Sequence, residues 1–250
     1  MPPADAVAGS AVAPLSRGLE LLDAALRYAL AGAVLGTPQL LSRPTPCPGW
    51  DLARLLDHLS DSLGVLRAAL TGGDAAPCYH GLGPDPVARL SDQAAGLRAA
   101  YAAAGQARRQ VAIGNRELSA RLVAVTGTLE IAVHGWDIWV ACGARRPVPP
   151  GLAALLLPIA PLLITPDSRP GLFADPVELL GPACPGDQLV AFLGRQPHQP
   201  ERAENYRPAR DDSWDAGWSI VVSHHTGGAG PTERQQRRRT RCTSRRRWCW

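Results

Sequence analysis

Residues 128–137, TLEIAVHGWD, constrain this chain more than any other stretch. The surroundings are apolar on every side: Val123, Val125, Leu129, Ile131, Val133, Trp136, Ile138, Trp139 and Val140. A helix that is apolar all round is buried all round. Yet Glu130, His134 and Asp137 stand at i, i+4 and i+7, so they stack on one helical face. An uncompensated carboxylate and an imidazole are costly inside a core. A metal ion is the simplest partner for a Glu and a His one turn apart. A buried ion pair or hydrogen bond along the helix is the competing explanation.

The rest of the chain supplies more helices. Leu19, Leu22, Leu26, Leu30 and Ala33 have the three-to-four spacing of a buried face and predict a helix over about 16–35, ended by Gly36-Thr37-Pro38. Thr45-Pro46-Cys47-Pro48-Gly49-Trp50 reads as an ordered turn, and Asp51 as the N-cap of the next helix. That helix carries the stripe Leu52, Leu55, Leu56, Leu59, Leu63 and Leu66, with His58 on its edge beside Ser62. By itself, His58 reads more readily as a hydrogen-bonded core histidine than as a ligand. A third helix is expected over about 85–104 and a short extended piece with a turn at Gly114-Asn115 follows. The fourth helix, about 119–142, holds the opening motif, with Gly143 as its C′ residue.

Four amphipathic helices with loops long enough for a crossover predict an all-α four-helix bundle. Bundles of this kind hold metal between facing helices, so His58 would meet Glu130 and His134 across the core. Three protein ligands leave a coordination position open, which is the catalytic and not the structural pattern. Asp137 would then orient a ligand histidine from behind. A structural cap or a surface acid stacked on Trp is the other role open to it. Trp50, Trp136 and Trp139 read as core packing. Cys47 reads as structural, because Arg43 is the one basic residue near it in sequence. His80, His198, His224 and His225 show no ligand spacing.

Composition narrows the function classes. The net charge of +4 belongs to the end of the chain. Residues 1–200 carry 15 Arg against 16 acids, a balance of −1, and residues 201–250 carry 11 Arg against 6 acids, or +5. The body therefore offers no electrostatic case for nucleic acid. Residues 234–247, with eight Arg and no acid, are the one segment that suits a nucleic acid or a membrane surface. Composition and period both break after Gly194-Arg195, which predicts a disordered tail over 201–250. No apolar run reaches the length of a membrane span, and residues 1–14 lack the basic start of a secretory signal. The six cysteines form no CxxC pair, so a reducing, cytoplasmic setting is expected.

Three segments, taken together, resemble a known family. Thr45-Pro46-Cys47-Pro48-Gly49-Trp50-Asp51 followed by Leu55-Leu56-Asp57-His58-Leu59 is similar to the first metal-ligand motif of the mycothiol-dependent maleylpyruvate isomerase N-terminal family, within the DinB/YfiT-like superfamily. Residues 129–137 resemble its second motif. Ala191-Phe192-Leu193-Gly194-Arg195 resembles the C-terminal end of one actinobacterial branch. The likeness covers about residues 15–197.

The resemblance implies a DinB-like bundle, with the metal-binding domain at 15–145 and an extension packed on it at 146–200, while composition sets apart a flexible arm at 1–14, rich in Ala and Pro, and the basic tail at 201–250. It also implies a divalent metal, commonly zinc, with ligands matching His58, Glu130 and His134. In characterised relatives that metal activates a small thiol, mycothiol or bacillithiol, for transfer or isomerisation. The implied partners are such a thiol and an electrophilic substrate, with no membrane, and a homodimer stays open. The isomerase proper has a further C-terminal domain that contributes to its active site. Two functions fit: a metal-dependent transferase or isomerase using mycothiol, or a non-catalytic metal-binding or stress-associated module on the same bundle.

Overall fold

The computed structural model describes residues 18–72, 85–104, 110–113, 116–179 and 182–197. The basic tail, the first seventeen residues, His80 and His198 lie outside them. Helices dominate: α1 (Gly18–Ala33), α2 (Leu52–Thr71), α3 (Pro86–Ala104), α4 (Ala120–Ala141), α5 (Pro150–Leu156), α6 (Ala160–Leu163) and α7 (Pro185–Phe192). One antiparallel hairpin, β1 (Gln110–Ile113) and β2 (Arg116–Ser119), leads into α4 and pairs Gln110 with Ser119 and Ile113 with Arg116.

The caps are local chemistry. Asp51 has extended backbone and accepts from the Arg54 amide at 2.8 Å, opening α2. Ser119 does the same for α4, accepting from the Leu122 amide at 3.2 Å. The turn before α2 is closed by Thr45 N–H donating to the Trp50 carbonyl, with Gly49 at φ +74°. A positive φ of that size favours glycine.

Contacts order the main helices α1–α4–α2–α3 around the bundle. The connections from α1 to α2 and from α3 to α4 therefore both run to the diagonally opposite helix, which is the expected crossover. Small residues set the spacing. A Cβ on Gly135 would come within 2.9 Å of Tyr28 Cδ1 and 3.2 Å of the Ala29 backbone, so α4 lies directly against α1. A Cβ on Gly127 would stand 2.6 Å from Leu66 Cδ1, so the Leu66 side chain of α2 packs against the bare backbone of α4 there. As predicted from its composition, α4 is buried from Val123 to Trp139 except at Thr126. Arg89 ties α3 to α2 through ion pairs with Asp57 and Asp61.

The extension departs from expectation at one point. Sequence periodicity suggests a loop from 165 to 195 with a short apolar piece at 189–193. That piece is the end of a helix, α7, which starts on Pro185 with Cys184 as its cap. Proline and glycine at the first helical positions hide a short helix from any count of apolar period. The end of α7 is a Schellman turn: Gly194 N–H donates to Ala191 and Arg195 N–H to Val190, with Gly194 at φ +79°. A Cβ on Gly194 would lie 2.7 Å from the Ala174 carbonyl. The turn reverses the chain and points Arg195 back into the bundle. Val148, Leu152, Leu156, Leu189 and Val190 join the same core cluster as the bundle helices.

Candidate metal centre

The site lies between α2 and α4. Helix α4 carries Glu130, His134 and Asp137 on its inward face, all with no exposed surface. Helix α2 carries His58, 5% exposed, on the facing side. The His58 Nε2 atom is 3.4 Å from Glu130 Oε1. The two imidazoles meet edge to face with centroids 5.1 Å apart. Ligand-capable atoms of His58, Glu130 and His134 all lie within 4.8 Å of one another.

Each of the three is held from outside. Trp50 presses on His58 edge to face at 4.8 Å, and the Arg54 guanidinium covers the outer side of that indole, also at 4.8 Å. Ser62 Oγ donates to Glu130 Oε1. Asp137 Oδ2 is 3.0 Å from His134 Nδ1. What these contacts leave is informative. Glu130 Oε2 and His134 Nε2 are buried and have no hydrogen-bond partner among the described residues. Buried polar atoms without partners are rare and costly. Two of them on adjacent ligand-type side chains, beside a second imidazole, form a donor set of two nitrogens and one carboxylate, which suits a divalent cation.

Charge is distributed unevenly around the site. Burial pushes the His58 pKa below its usual value even with Glu130 alongside, so this imidazole is neutral near pH 7. For His134, burial works in the same direction, but Asp137 and Cys47 outweigh it and raise the pKa to about 9. For Asp137, burial works to raise the pKa, but the Arg195 guanidinium and His134 lower it to about 2. Asp137 is thus a carboxylate locked in its charged form by Arg195 and His134.

A second group, Cys47, His134 and Asp137, is equally compact. It is a poor cation site, because Arg195 Nη2 lies 3.0 Å from Asp137 Oδ2 and 3.8 Å from Cys47 Sγ. A cation there would sit against a guanidinium. The group is better described as a hydrogen-bonded support, in which the Cys47 thiol donates to Asp137 Oδ2 at 3.4 Å.

Sequence reasoning brought His58, Glu130, His134 and Asp137 to one place, and the structure gathers all four. Asp137 is fully buried and faces His134, not the surface. Trp50 is core, and it is also the wall behind His58. Cys47 has Arg43 as the one basic residue near it in sequence, but the guanidinium in contact with its thiol is that of Arg195. Sequence reasoning did not bring Ser62 or Arg195 to the site, or Cys47 to Asp137. The signal for Arg195 was present in residues 191–195, which stand out as a motif without revealing what the arginine reaches.

Known proteins resemble part of this chain. Residues 21–139 match the mycothiol maleylpyruvate isomerase N-terminal domain family. Two uncharacterized proteins of Mycobacterium tuberculosis, Rv0738 and MT0763, are each 31% identical over 160 residues, spanning 62% of this chain and 85% of theirs. The crystal structure of the mycothiol-dependent maleylpyruvate isomerase is 16% identical and overlaps 60% of this chain and 69% of that one, with a TM-score of 0.48.

Proposed function

The chain belongs to the mycothiol maleylpyruvate isomerase N-terminal domain family, and on that premise we propose that it binds a divalent metal, zinc by preference, through His58, Glu130 and His134 and uses it to activate a small thiol, mycothiol, for transfer to or isomerisation of an electrophile. The observation that carries this is the pair of partnerless buried atoms, Glu130 Oε2 and His134 Nε2, aimed into the space that His58 also faces. A structural ion pair would satisfy those atoms, and this arrangement does not.

Bound there, a divalent cation lowers the pKa of a coordinated thiol or polarises a carbonyl. The chain's own residues do the rest. Ser62 fixes the carboxylate of Glu130, and Asp137 holds His134 by Nδ1, so that Nε2 is the nitrogen turned toward the site. Trp50 keeps the His58 ring in place and excludes water from behind it. Three protein donors leave room for one small-molecule ligand. On this reading residues 15–145 supply the metal site, residues 146–200 cover it, and the protein works in the cytoplasm, where small thiols stay reduced. Among the described residues, no helix is long and apolar enough to cross a membrane.

One observation favours the second reading, a metal-binding module without catalysis: His58, Glu130 and His134 are all at or below 5% exposed. Metal analysis of purified wild type and His134→Ala, followed by incubation with mycothiol and an electrophile panel that includes maleylpyruvate, separates the cases. One equivalent of zinc lost in the variant, with thiol-dependent turnover only in wild type, supports the proposal. Equal zinc in both proteins removes the site. Zinc in wild type without turnover leaves the binding module.

A further inference from the structure

Arg195 stands far from the two metal-binding motifs in sequence and yet ends against the back of the site. Its Nε donates to Asp137 Oδ1 at 3.3 Å and its Nη2 to Asp137 Oδ2 at 3.0 Å. Its Nη1 donates to the Leu193 carbonyl at 3.0 Å. Both oxygens of Asp137 are therefore gripped by one planar fork, the geometry that fixes a carboxylate in orientation as well as place. The gripped oxygen Oδ2 is the one that faces His134 Nδ1 at 3.0 Å. Arg195 is 6% exposed and Asp137 fully buried, so no water shell competes with these bonds.

We propose that Arg195 is a positioning residue for the metal site, acting through Asp137 on His134, and that the C-terminal extension thereby controls whether the bundle can hold its metal. This rests on the metal-binding reading above. The logic is one of ring orientation. A histidine that ligates by Nε2 carries its proton on Nδ1, and Asp137 Oδ2 is the acceptor that keeps it there. Remove the fork and the carboxylate loses the two donors that set its plane. The His134 ring that it holds through Nδ1 is then free to turn, and Nε2 is no longer fixed toward His58 and Glu130. The Schellman turn at Gly194 is what aims the fork, because Arg195 is the residue that immediately follows the left-handed position. A purely structural arginine, pinning the end of α7 to the bundle, would lack this directional chain.

A double-mutant cycle on the full chain tests it, with zinc affinity read by chelator competition and the visible spectrum of the cobalt form as a second readout. Arg195→Met is expected to weaken zinc binding about 10–100-fold, and Asp137→Asn by a similar factor. In the Asp137→Asn background, Arg195→Met should add no further loss, because the relay is already cut. Arg195→Lys keeps the charge but not the fork, so its affinity should fall between wild type and Arg195→Met and its cobalt band should shift. If circular dichroism shows Arg195→Met unfolded, the same cycle with Arg195→Lys gives the answer. Equal affinity and an unchanged cobalt band in the arginine variants overturn the relay. So does an equal loss in both backgrounds, which would mark Arg195 as general packing. A wild type that takes up no zinc overturns the metal site and the relay together, whereas a loaded wild type with equally loaded arginine variants overturns the relay alone.

Discussion

Glu130→Gln should make the metal-free protein more stable and the zinc-loaded protein less stable. In the structure Oε1 accepts from Ser62 and lies 3.4 Å from His58 Nε2, while Oε2 has no partner among the described residues. A charged acceptor left without a partner in the interior costs on the order of 1–3 kcal/mol, and more than a neutral one. Gln keeps the Ser62 bond and places a neutral amide where the charged oxygen was. The gain in EDTA should be about 1.5 kcal/mol, or roughly 3–6 °C in Tm for a chain of this size. Zinc at a hundred times its Kd adds about 2.7 kcal/mol to the wild type. The variant, missing a ligand, recovers little of that, so the order of Tm values inverts and the wild type leads by about 1 kcal/mol. Thermal unfolding of both proteins, in EDTA and in zinc, reads the crossing directly. If the His58–Glu130 contact is instead a structural bond, the variant will be less stable in EDTA by as much as in zinc, and the metal-site reasoning would be refuted.

Two further outcomes follow from the same geometry. Gly135→Ala should destabilise by about 1–3 kcal/mol in urea unfolding, because its Cβ meets Tyr28 and the Ala29 backbone at 2.9 and 3.2 Å; an unchanged midpoint would mean that α1 and α4 separate easily. In metal-free protein, His134 has its pKa raised from 6.5 to about 9. A raised pKa stabilises the fold fully below the unfolded value and loses that contribution as pH rises through the folded one. Stability measured in EDTA should therefore fall between about pH 6.5 and pH 9, and His134→Asn should flatten that slope.

Much of this molecule is local and was readable in order along the chain. Asp51 and Ser119 cap their helices because a short side-chain oxygen reaches an amide three residues on, whatever the rest of the fold does. Glu130, His134 and Asp137 share a face because 3.6 residues make a turn. The apolar surroundings of that face required burial, and buried polar groups require partners. That chain of reasoning needs one helix and no tertiary information, and it led to His58 through the motif alone.

Helix period could not tell which residues hold these side chains still. Arg195 reaches Asp137 across 58 residues and Cys47 across 148. Those distances close only after the diagonal connections have set the order α1–α4–α2–α3 and the turn at Gly194 has reversed the chain. Sequence spacing encodes contacts within a helix or turn, where geometry follows from the backbone. Contacts between elements depend on the packing of the whole core. The polar face of α4 was therefore written in one helix, and the fork behind it was decided by the fold.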